Sequence, residues 1–133
     1  MTSKIKILLV EDNDGDIFLA RKAFSSYEDA LDISVASNGE VAMDMLQCKG
    51  EYKNLLAPDL ILLDINLPRK DGRQVLAEIK QDSRLNDIPV VVLTGSEGEK
   101  DILESSGLVV SDYIVKPFTG EEILRLLDIA RCS

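Results

Sequence analysis

Histidine and tryptophan are both absent from this sequence of 133 residues. Without histidine, the chain cannot use imidazole as a general acid or base, and it cannot build a zinc site that needs imidazole ligands. The two cysteines, Cys48 and Cys132, lie far apart and outside any metal-ligand spacing. A disulfide scaffold is therefore not expected, and we interpret both residues as incidental thiols.

Basic residues and long apolar runs are also scarce. The 15 Lys and Arg residues are outnumbered by 24 Asp and Glu residues, which gives a formal net charge of −9. Nonspecific nucleic-acid binding depends on neutralising phosphates with Lys and Arg, so no nucleic-acid partner is expected. No apolar stretch approaches the ~20 residues that span a bilayer, and the apolar run in residues 1–10 is too short for a signal peptide. We expect a cytoplasmic protein without a membrane partner.

The composition is that of an ordinary globular domain, with 45% hydrophobic and 29% charged residues. A chain of this length can bury a core without disulfides or metal staples. We therefore expect one domain over residues 1–133, with no output domain after it.

Short, continuous apolar runs predict five strands. Such runs are typical of parallel strands that helices cover on both faces, whereas half-exposed strands alternate apolar and polar residues. The predicted strands are residues 5–10, 33–36, 60–63, 90–93 and 113–115.

Apolar residues at helical spacing lie between these strands. The four clearest stripes are Ile17, Ala20, Phe24 and Tyr27; Val41, Ala42, Met45 and Leu46; Val75, Leu76 and Ile79; and Ile123, Leu126, Leu127 and Ala130. Capping boxes are predicted at two helix starts, from Ser37 with Glu40 and from Thr119 with Glu122.

The weakest predicted helix covers residues 97–106, which offer only Ile102 and Leu103 to a core. We expect it to be marginally stable and mobile. Residues 48–58 form a long, polar connection.

The alternation of strands and helices predicts an α/β fold, a single doubly wound (βα)5 domain. Right-handed crossovers would build an open, five-stranded parallel sheet. We expect the strand order 2-1-3-4-5, which is the order of flavodoxin-like folds. Ligands of such sheets bind beyond the carboxyl ends of the strands, at the point where the strand order reverses. Functional residues are therefore expected just after each strand.

Acidic residues follow the two strands that flank this point. Glu11 and Asp12 come directly after the first strand, and Asp64 ends the third. Crowded carboxylates repel one another, and a divalent cation relieves that repulsion. Carboxylate and carbonyl oxygens with water are the ligands that Mg²⁺ prefers, and Mg²⁺ commonly takes a phosphate oxygen as well. The site therefore looks prepared for a phosphoryl group.

Asp64 is the best-placed nucleophile, because a carboxylate is ionised near neutral pH and needs no general base. Lys116, after the fifth strand, would offset the charge of a phosphoryl group. The Thr94 hydroxyl can donate to a phosphoryl oxygen, and Gly95 has no side chain to block its approach. The sequence does not decide whether the Lys116-Pro117 bond is cis or trans.

The sequence strings around these residues are ILLVEDN, PDLILLDINLPRKDG, IPVVVLTGS and DYIVKPF. Together they resemble the receiver domain of two-component response regulators, over essentially the whole chain and in the same order. The connection before Pro58, with the string NLPRKDGRQVLAEIK, is similar to stand-alone receivers that pair with phytochrome-type kinases.

The resemblance implies a role for each acidic-site residue. Asp64 would be the phospho-acceptor, taking its phosphoryl group from a histidine of a sensor histidine kinase. Glu11 and Asp12 would be the acidic pair that holds Mg²⁺ together with Asp64. Asn66 would give its backbone carbonyl to the metal.

The resemblance also implies a switch. Thr94 and Lys116 would contact the phosphoryl group, and Tyr113 would rotate inward after Thr94 moves. The face of the fourth helix, fifth strand and fifth helix would then change shape and engage a downstream protein or a second copy of the chain.

Two other functions stay open at this point. A phosphohydrolase of the haloacid-dehalogenase type also uses a strand-end Asp, Mg²⁺, a Thr or Ser and a Lys. It needs a second acid two residues after the nucleophile, where this chain has Asn66, and its acidic pair comes late in the chain. A receiver-like adaptor that is never phosphorylated would typically lack the acceptor, the lysine or the acidic pair. We expect a signalling module rather than an enzyme, with only weak autocatalytic phosphorylation and dephosphorylation.

Each of these residues also has a simpler interpretation. Asp14 and Asp16 are equally well explained as solvated surface, and Asp16 could favour the helix dipole in the first turn of the first helix. Thr94 could cap the next helix, Lys116 could be an ordinary surface lysine, and Tyr113 could be only a packing residue of an edge strand.

Overall fold

A computed structural model describes residues 4–67, 70–117 and 120–131. In these residues five strands alternate with five α-helices: β1 (Ile5–Val10), α1 (Asp14–Phe24), β2 (Leu31–Ala36), α2 (Gly39–Leu46), β3 (Leu60–Asp64), α3 (Gly72–Gln81), β4 (Val90–Thr94), α4 (Glu97–Ser105), β5 (Asp112–Val115) and α5 (Gly120–Arg131). Two short 3-10 helices, Ser25–Tyr27 and Gly50–Tyr52, lie in the connections.

All strand pairs are parallel, and the sheet has the predicted order β2-β1-β3-β4-β5. The order reverses between β1 and β3. Val10 at the end of β1 is paired with Leu63, and Asp64 is paired with Leu93 of β4. The residues that follow these strands therefore meet at one edge of the sheet.

The core lies in two layers, one on each face of the sheet. Alternate residues of β1 serve both layers, because successive side chains of a strand point to opposite faces. Leu8 and Val10 pack with residues of α2 and α3, whereas Ile7 and Leu9 pack with residues of α1 and α5. The central strands β3 and β4 are buried along their whole length, as their continuous apolar runs predict.

Several local predictions were wrong by a residue or a few. The N-cap of α2 is Asn38 rather than Ser37, because the Asn38 side chain accepts the Val41 N–H at 2.9 Å. Tyr27 lies in a 3-10 helix beyond α1, which ends at Phe24 where the Ser25 hydroxyl donates to the Lys22 carbonyl. The capping box predicted at Thr119 lies outside the described residues, as does Cys132.

The fourth helix is anchored even more weakly than its sequence predicted. Leu103 is its only buried residue, and the Ile102 side chain, expected in the core, is 66% exposed. The predicted polar connection 48–58 contains the second 3-10 helix. No helix among the described residues is both long enough and apolar enough to cross a membrane.

Candidate functional site

Three carboxylates meet where β1 and β3 end. Glu11 and Asp64 are buried, with exposed fractions of 1% and 5%, and Asp12 is exposed. One carboxylate oxygen from each residue lies within 4.8 Å of the others. The predicted convergence of these three side chains is therefore present in the structure.

Lys116 neutralises part of this acidic cluster. It follows β5, and its side chain reaches the carboxylates at the ends of β1 and β3. The ammonium Nζ lies 2.8 Å from Asp16 Oδ2, 2.9 Å from Glu11 Oε2 and 3.2 Å from Asp64 Oδ2. An ammonium has three N–H donors, so these contacts can use all of them. The interpretation of Lys116 as an ordinary surface lysine is wrong.

Negative charge remains in excess after this pairing, because Lys116 brings one ammonium whereas Glu11, Asp12, Asp16 and Asp64 bring four carboxylates. The pKa of Glu11 is raised to about 7, because burial and the neighbouring Asp64 carboxylate both raise it by more than the hydrogen bonds from Lys116 and the Asn13 N–H lower it. Burial lowers the pKa of Lys116, but its bonds to Asp16 and Glu11 and the charge of Asp64 outweigh burial and raise that pKa. The site is thus short of positive charge.

Short backbone contacts fix the positions of the two buried carboxylates. The Asn66 N–H donates to Asp64 Oδ1 at 3.0 Å, and the Asn13 N–H donates to Glu11 Oε1 at 3.2 Å. Asn13 is also the N-cap of α1, where its side chain accepts the Asp16 N–H at 2.9 Å. The start of α1 is thereby tied to the acidic site.

Thr94 is fully buried at the end of β4. It follows Leu93, the residue of β4 that is paired with Asp64 of the neighbouring strand β3. Its hydroxyl donates to the Ser96 carbonyl at 3.2 Å, and its own carbonyl accepts the Lys116 N–H at 2.8 Å. Ser96 is the N-cap of α4, so the interpretation of Thr94 as that cap is wrong. The peptide bond between Lys116 and Pro117, left open by the sequence, is cis.

Tyr113 lies on the edge strand β5 with its side chain turned into the protein. It is 9% exposed, packs in a small core cluster with Ile65, Val92 and Leu103, and donates its hydroxyl to the Leu103 carbonyl at 3.3 Å. The aromatic ring therefore links β5 to α4.

Two site residues were not identified from the sequence. Asp16 was left equally well explained as surface, yet it makes the shortest contact to Lys116. Glu99 was not singled out, and its carboxylate accepts hydrogen bonds from Asn66 Nδ2 and from the Gly95 N–H. Asp16 could have been found from its place in the first turn after a strand end, but the sequence carries no comparable signal for Glu99.

The donor set fits a hard divalent cation. Glu11, Asp12 and Asp64 supply only carboxylate oxygens, two of them from buried residues, and one ammonium does not balance their charge. Such a cluster could hold the cation and present Asp64 beside it.

Comparison with known proteins agrees with this arrangement. The sequence profile of the family described as "Response regulator receiver domain" matches residues 7–128. The response regulator Rcp1 of Synechocystis sp. (strain ATCC 27184 / PCC 6803 / Kazusa) is 44% identical over 91% of this chain and 82% of its own length. The Mn²⁺-bound form of Rcp1 has a TM-score of 0.76 and 43% identity, covering 92% of this chain and 88% of that one.

Two further solved structures are similar over nearly the whole chain. The bacteriophytochrome response regulator AtBRR has a TM-score of 0.87 and 35% identity, covering 98% of this chain and 94% of that one. The phosphorylated cyanobacterial phytochrome response regulator RcpA has a TM-score of 0.79 and 44% identity, covering 98% and 91%. From its sequence profile, its parallel sheet and its strand-end acidic site, the chain belongs to the response regulator receiver domain family.

Proposed function

We propose that this protein is a phospho-acceptor signalling module in which Asp64 takes a phosphoryl group from a sensor histidine kinase. The observation that carries the proposal is the surroundings of Asp64. Its buried carboxylate lies within 4.8 Å of the Glu11 and Asp12 oxygens and 3.2 Å from the Lys116 ammonium. A nucleophile, a divalent-cation site and a fixed positive charge are thus gathered at one strand end.

The transfer step needs no proton from Asp64. A carboxylate oxygen of Asp64 attacks the phosphorus of a phosphohistidine, the new P–O bond forms, and the P–N bond to the imidazole breaks. The leaving imidazole nitrogen takes its proton from water. Hydrolysis later breaks the P–O bond, releases inorganic phosphate and restores the Asp64 carboxylate.

The family's divalent cation, which we propose is Mg²⁺, would be held by Glu11, Asp12 and Asp64 with the Asn66 backbone carbonyl. When bound, it supplies positive charge to a phosphoryl group that carries about −1.5 to −2 charges. Lys116 supplies a second positive charge next to Asp64, where its Nζ already contacts Oδ2.

We propose that Thr94 and Tyr113 transmit the change. The Thr94 hydroxyl would leave the Ser96 carbonyl to donate to a phosphoryl oxygen, which pulls on the turn between β4 and α4. Tyr113 contacts α4 through the Leu103 carbonyl, so movement of that turn alters its packing. The face of α4, β5 and α5 changes as a result.

The names of two similar solved structures, a bacteriophytochrome response regulator and a phytochrome response regulator, support a kinase of the phytochrome type as the partner. The same face would bind a downstream protein or a second copy of this chain. Exposed apolar side chains on and beside it support that role: Ile102 is 66% exposed, Val109 is 72% exposed and Leu124 is 54% exposed. A net charge of −9 disfavours a nucleic-acid partner.

We propose that the protein is not an enzyme and has only weak autocatalytic activity. A phosphohydrolase with an aspartyl-phosphate intermediate needs a second acid two residues after the nucleophile. Asn66 occupies that position, and its side chain donates to Glu99 instead of offering a proton to a leaving group.

Intact-mass spectrometry tests the proposal. The protein is incubated with a small acyl-phosphate or phosphoramidate donor, with and without Mg²⁺, beside the variants Asp64→Asn and Lys116→Ala. We expect one phosphoryl adduct in the wild type, only with Mg²⁺, and none in Asp64→Asn. Lys116→Ala should still accept phosphate, while the face of α4, β5 and α5 keeps the arrangement of the unphosphorylated protein.

Equal uptake by wild type and Asp64→Asn would exclude Asp64 as the acceptor. Rapid consumption of the donor without a lasting adduct would favour the phosphohydrolase. If neither an adduct nor donor consumption occurs, the protein is an adaptor that is not phosphorylated.

A further inference from the structure

The carboxylate of Glu99 joins three parts of the molecule at the edge of the acidic site. Glu99 lies in the first turn of α4, where its own N–H donates to the Ser96 hydroxyl at 3.1 Å. Its Oε1 accepts the Gly95 N–H at 3.2 Å, and its Oε2 accepts Asn66 Nδ2 at 2.9 Å. One side chain therefore connects α4 to the residue after β4 and to the loop after β3.

These contacts bring Glu99 close to the acceptor chemistry. Asn66 uses its side chain for Glu99 and its backbone N–H for Asp64 Oδ1, so one residue contacts both carboxylates. Gly95 directly follows Thr94, whose hydroxyl belongs to the proposed phosphoryl contacts. The Glu99 carboxylate thus accepts hydrogen bonds from two donors, Asn66 Nδ2 and the Gly95 N–H, next to the place where a phosphoryl group would form.

The same contacts are a large part of what holds the start of α4. Leu103 is the single residue of this helix that is buried, and it lies in the helix's second half. The first turn has no comparable apolar anchor, so the hydrogen bonds of Ser96 and Glu99 fix its position.

We propose that Glu99 is a positioning residue that holds α4 in the resting arrangement and is displaced when Asp64 is phosphorylated. A phosphoryl group adds about −1.5 to −2 charges beside the Glu99 carboxylate, which already carries negative charge. The two anions repel each other and compete for the Gly95 and Asn66 donors. Loss of the Glu99 contacts frees the first turn of α4. The inference rests on the proposed phosphorylation of Asp64, and it adds a residue that couples that event to the helix.

Glu97 offers a matched control. It lies in the same first turn and is also acidic, but it is exposed and has no hydrogen bond or ion pair with a site residue among the described residues. Substitutions of Glu97 and Glu99 remove the same charge from the same helix end. Their difference isolates the contacts to Gly95 and Asn66.

The first experiment needs no phosphate donor. Amide hydrogen exchange is followed in wild type, Glu99→Ala and Glu97→Ala. In Glu99→Ala, the Gly95 amide and the first turn of α4 should exchange faster by about threefold or more, while the central strands are unchanged. Equal exchange in the two variants would overturn the inference, whatever the outcome for Asp64.

The second experiment measures the rate of phosphorylation by a small acyl-phosphate donor with Mg²⁺. Glu99→Gln should react about three- to tenfold faster than Glu97→Gln, and the difference should shrink at high salt because screening weakens the repulsion. Equal rates in the two variants would contradict the inference while leaving the proposed function intact. Absence of any adduct in wild type would instead refute the proposed function.

Discussion

At the scale of single residues, Lys116 decides how the acidic site is balanced. Its ammonium contacts Glu11, Asp16 and Asp64, and two of those three carboxylates are buried. A buried carboxylate without a partner is costly, so the lysine stabilises the cation-free protein. The same ammonium repels a divalent cation that approaches the same oxygens.

Replacing Lys116 with alanine should therefore strengthen divalent-cation binding. Removal of a positive charge about 3 Å from Glu11 and Asp64, two of the proposed metal ligands, should raise Mg²⁺ affinity by about tenfold at low salt. Isothermal titration calorimetry measures this affinity. The control is Lys22→Ala, which removes an exposed positive charge from the last turn of α1 and should leave the affinity unchanged within about twofold.

Weaker Mg²⁺ binding in Lys116→Ala would mean that the lysine orients the carboxylates more than it repels the cation. The site would then need its lysine to bind metal.

At the scale of secondary-structure elements, the backbone at the start of α3 approaches the backbone at the end of β3 closely. Gly72 is the first residue of α3, and a Cβ there would lie 2.6 Å from the Asp64 carbonyl oxygen and 2.7 Å from Ile65 Cα. The preceding residue, Asp71, closes a capping box with Gln74. Only a residue without a side chain allows α3 to begin this close to the end of β3, where Asp64 lies.

Gly72→Ala should destabilise the protein, because backbone atoms rather than a flexible side chain would have to move. We expect the free energy of unfolding to fall by about 2 kcal/mol, measured by urea denaturation. Gly98→Ala is the matched control in the first turn of α4. Its Cβ would meet nothing closer than Ser96 Oγ at 4.0 Å, so helix propensity should stabilise the protein by about 0.5 kcal/mol.

Equal effects of the two substitutions would show that the close approach at Gly72 is relieved without cost. The position of Asp64 would then not depend on the β3–α3 contact.

At the scale of the whole molecule, the acidic site and the chain as a whole both carry an excess of negative charge. The formal net charge is −9, and four carboxylates surround one ammonium at one edge of the sheet. A cation that binds only the folded site stabilises the fold by mass action. The proposed cation binding would therefore be linked to folding.

Mg²⁺ should raise the free energy of unfolding by about 2.7 kcal/mol when its concentration is 100 times the dissociation constant. Thermal unfolding followed by circular dichroism measures the increase. NaCl at the same ionic strength is the reference, because simple screening also stabilises an acidic chain.

The exposed residues Asp12 and Asp14 give the matched variants. Asp12→Asn should lose most of the Mg²⁺-specific increase, whereas Asp14→Asn should keep it. An increase that survives in Asp12→Asn would place the cation elsewhere.

The sequence by itself determined the alternation of elements and the residues at the strand ends. The apolar runs of β3 and β4 predict buried parallel strands, because strands that helices cover on both faces have continuous apolar runs, and these runs are too short for a helix. Parallel strands bring their carboxyl ends to one edge, so the meeting of Glu11, Asp12 and Asp64 followed from strand direction and from the predicted strand order, in which β1 and β3 are neighbours.

The tertiary structure alone decided which side chains complete the site. Asp16 contacts Lys116 across 100 residues, and Glu99 contacts Asn66 across 33 residues. Such contacts depend on rotamers and on how far each helix start reaches over the sheet, neither of which leaves a periodic pattern in the sequence. The cap at Asn38 instead of Ser37 was decided in the same way, because both residue types cap helices well and only the local backbone selects one.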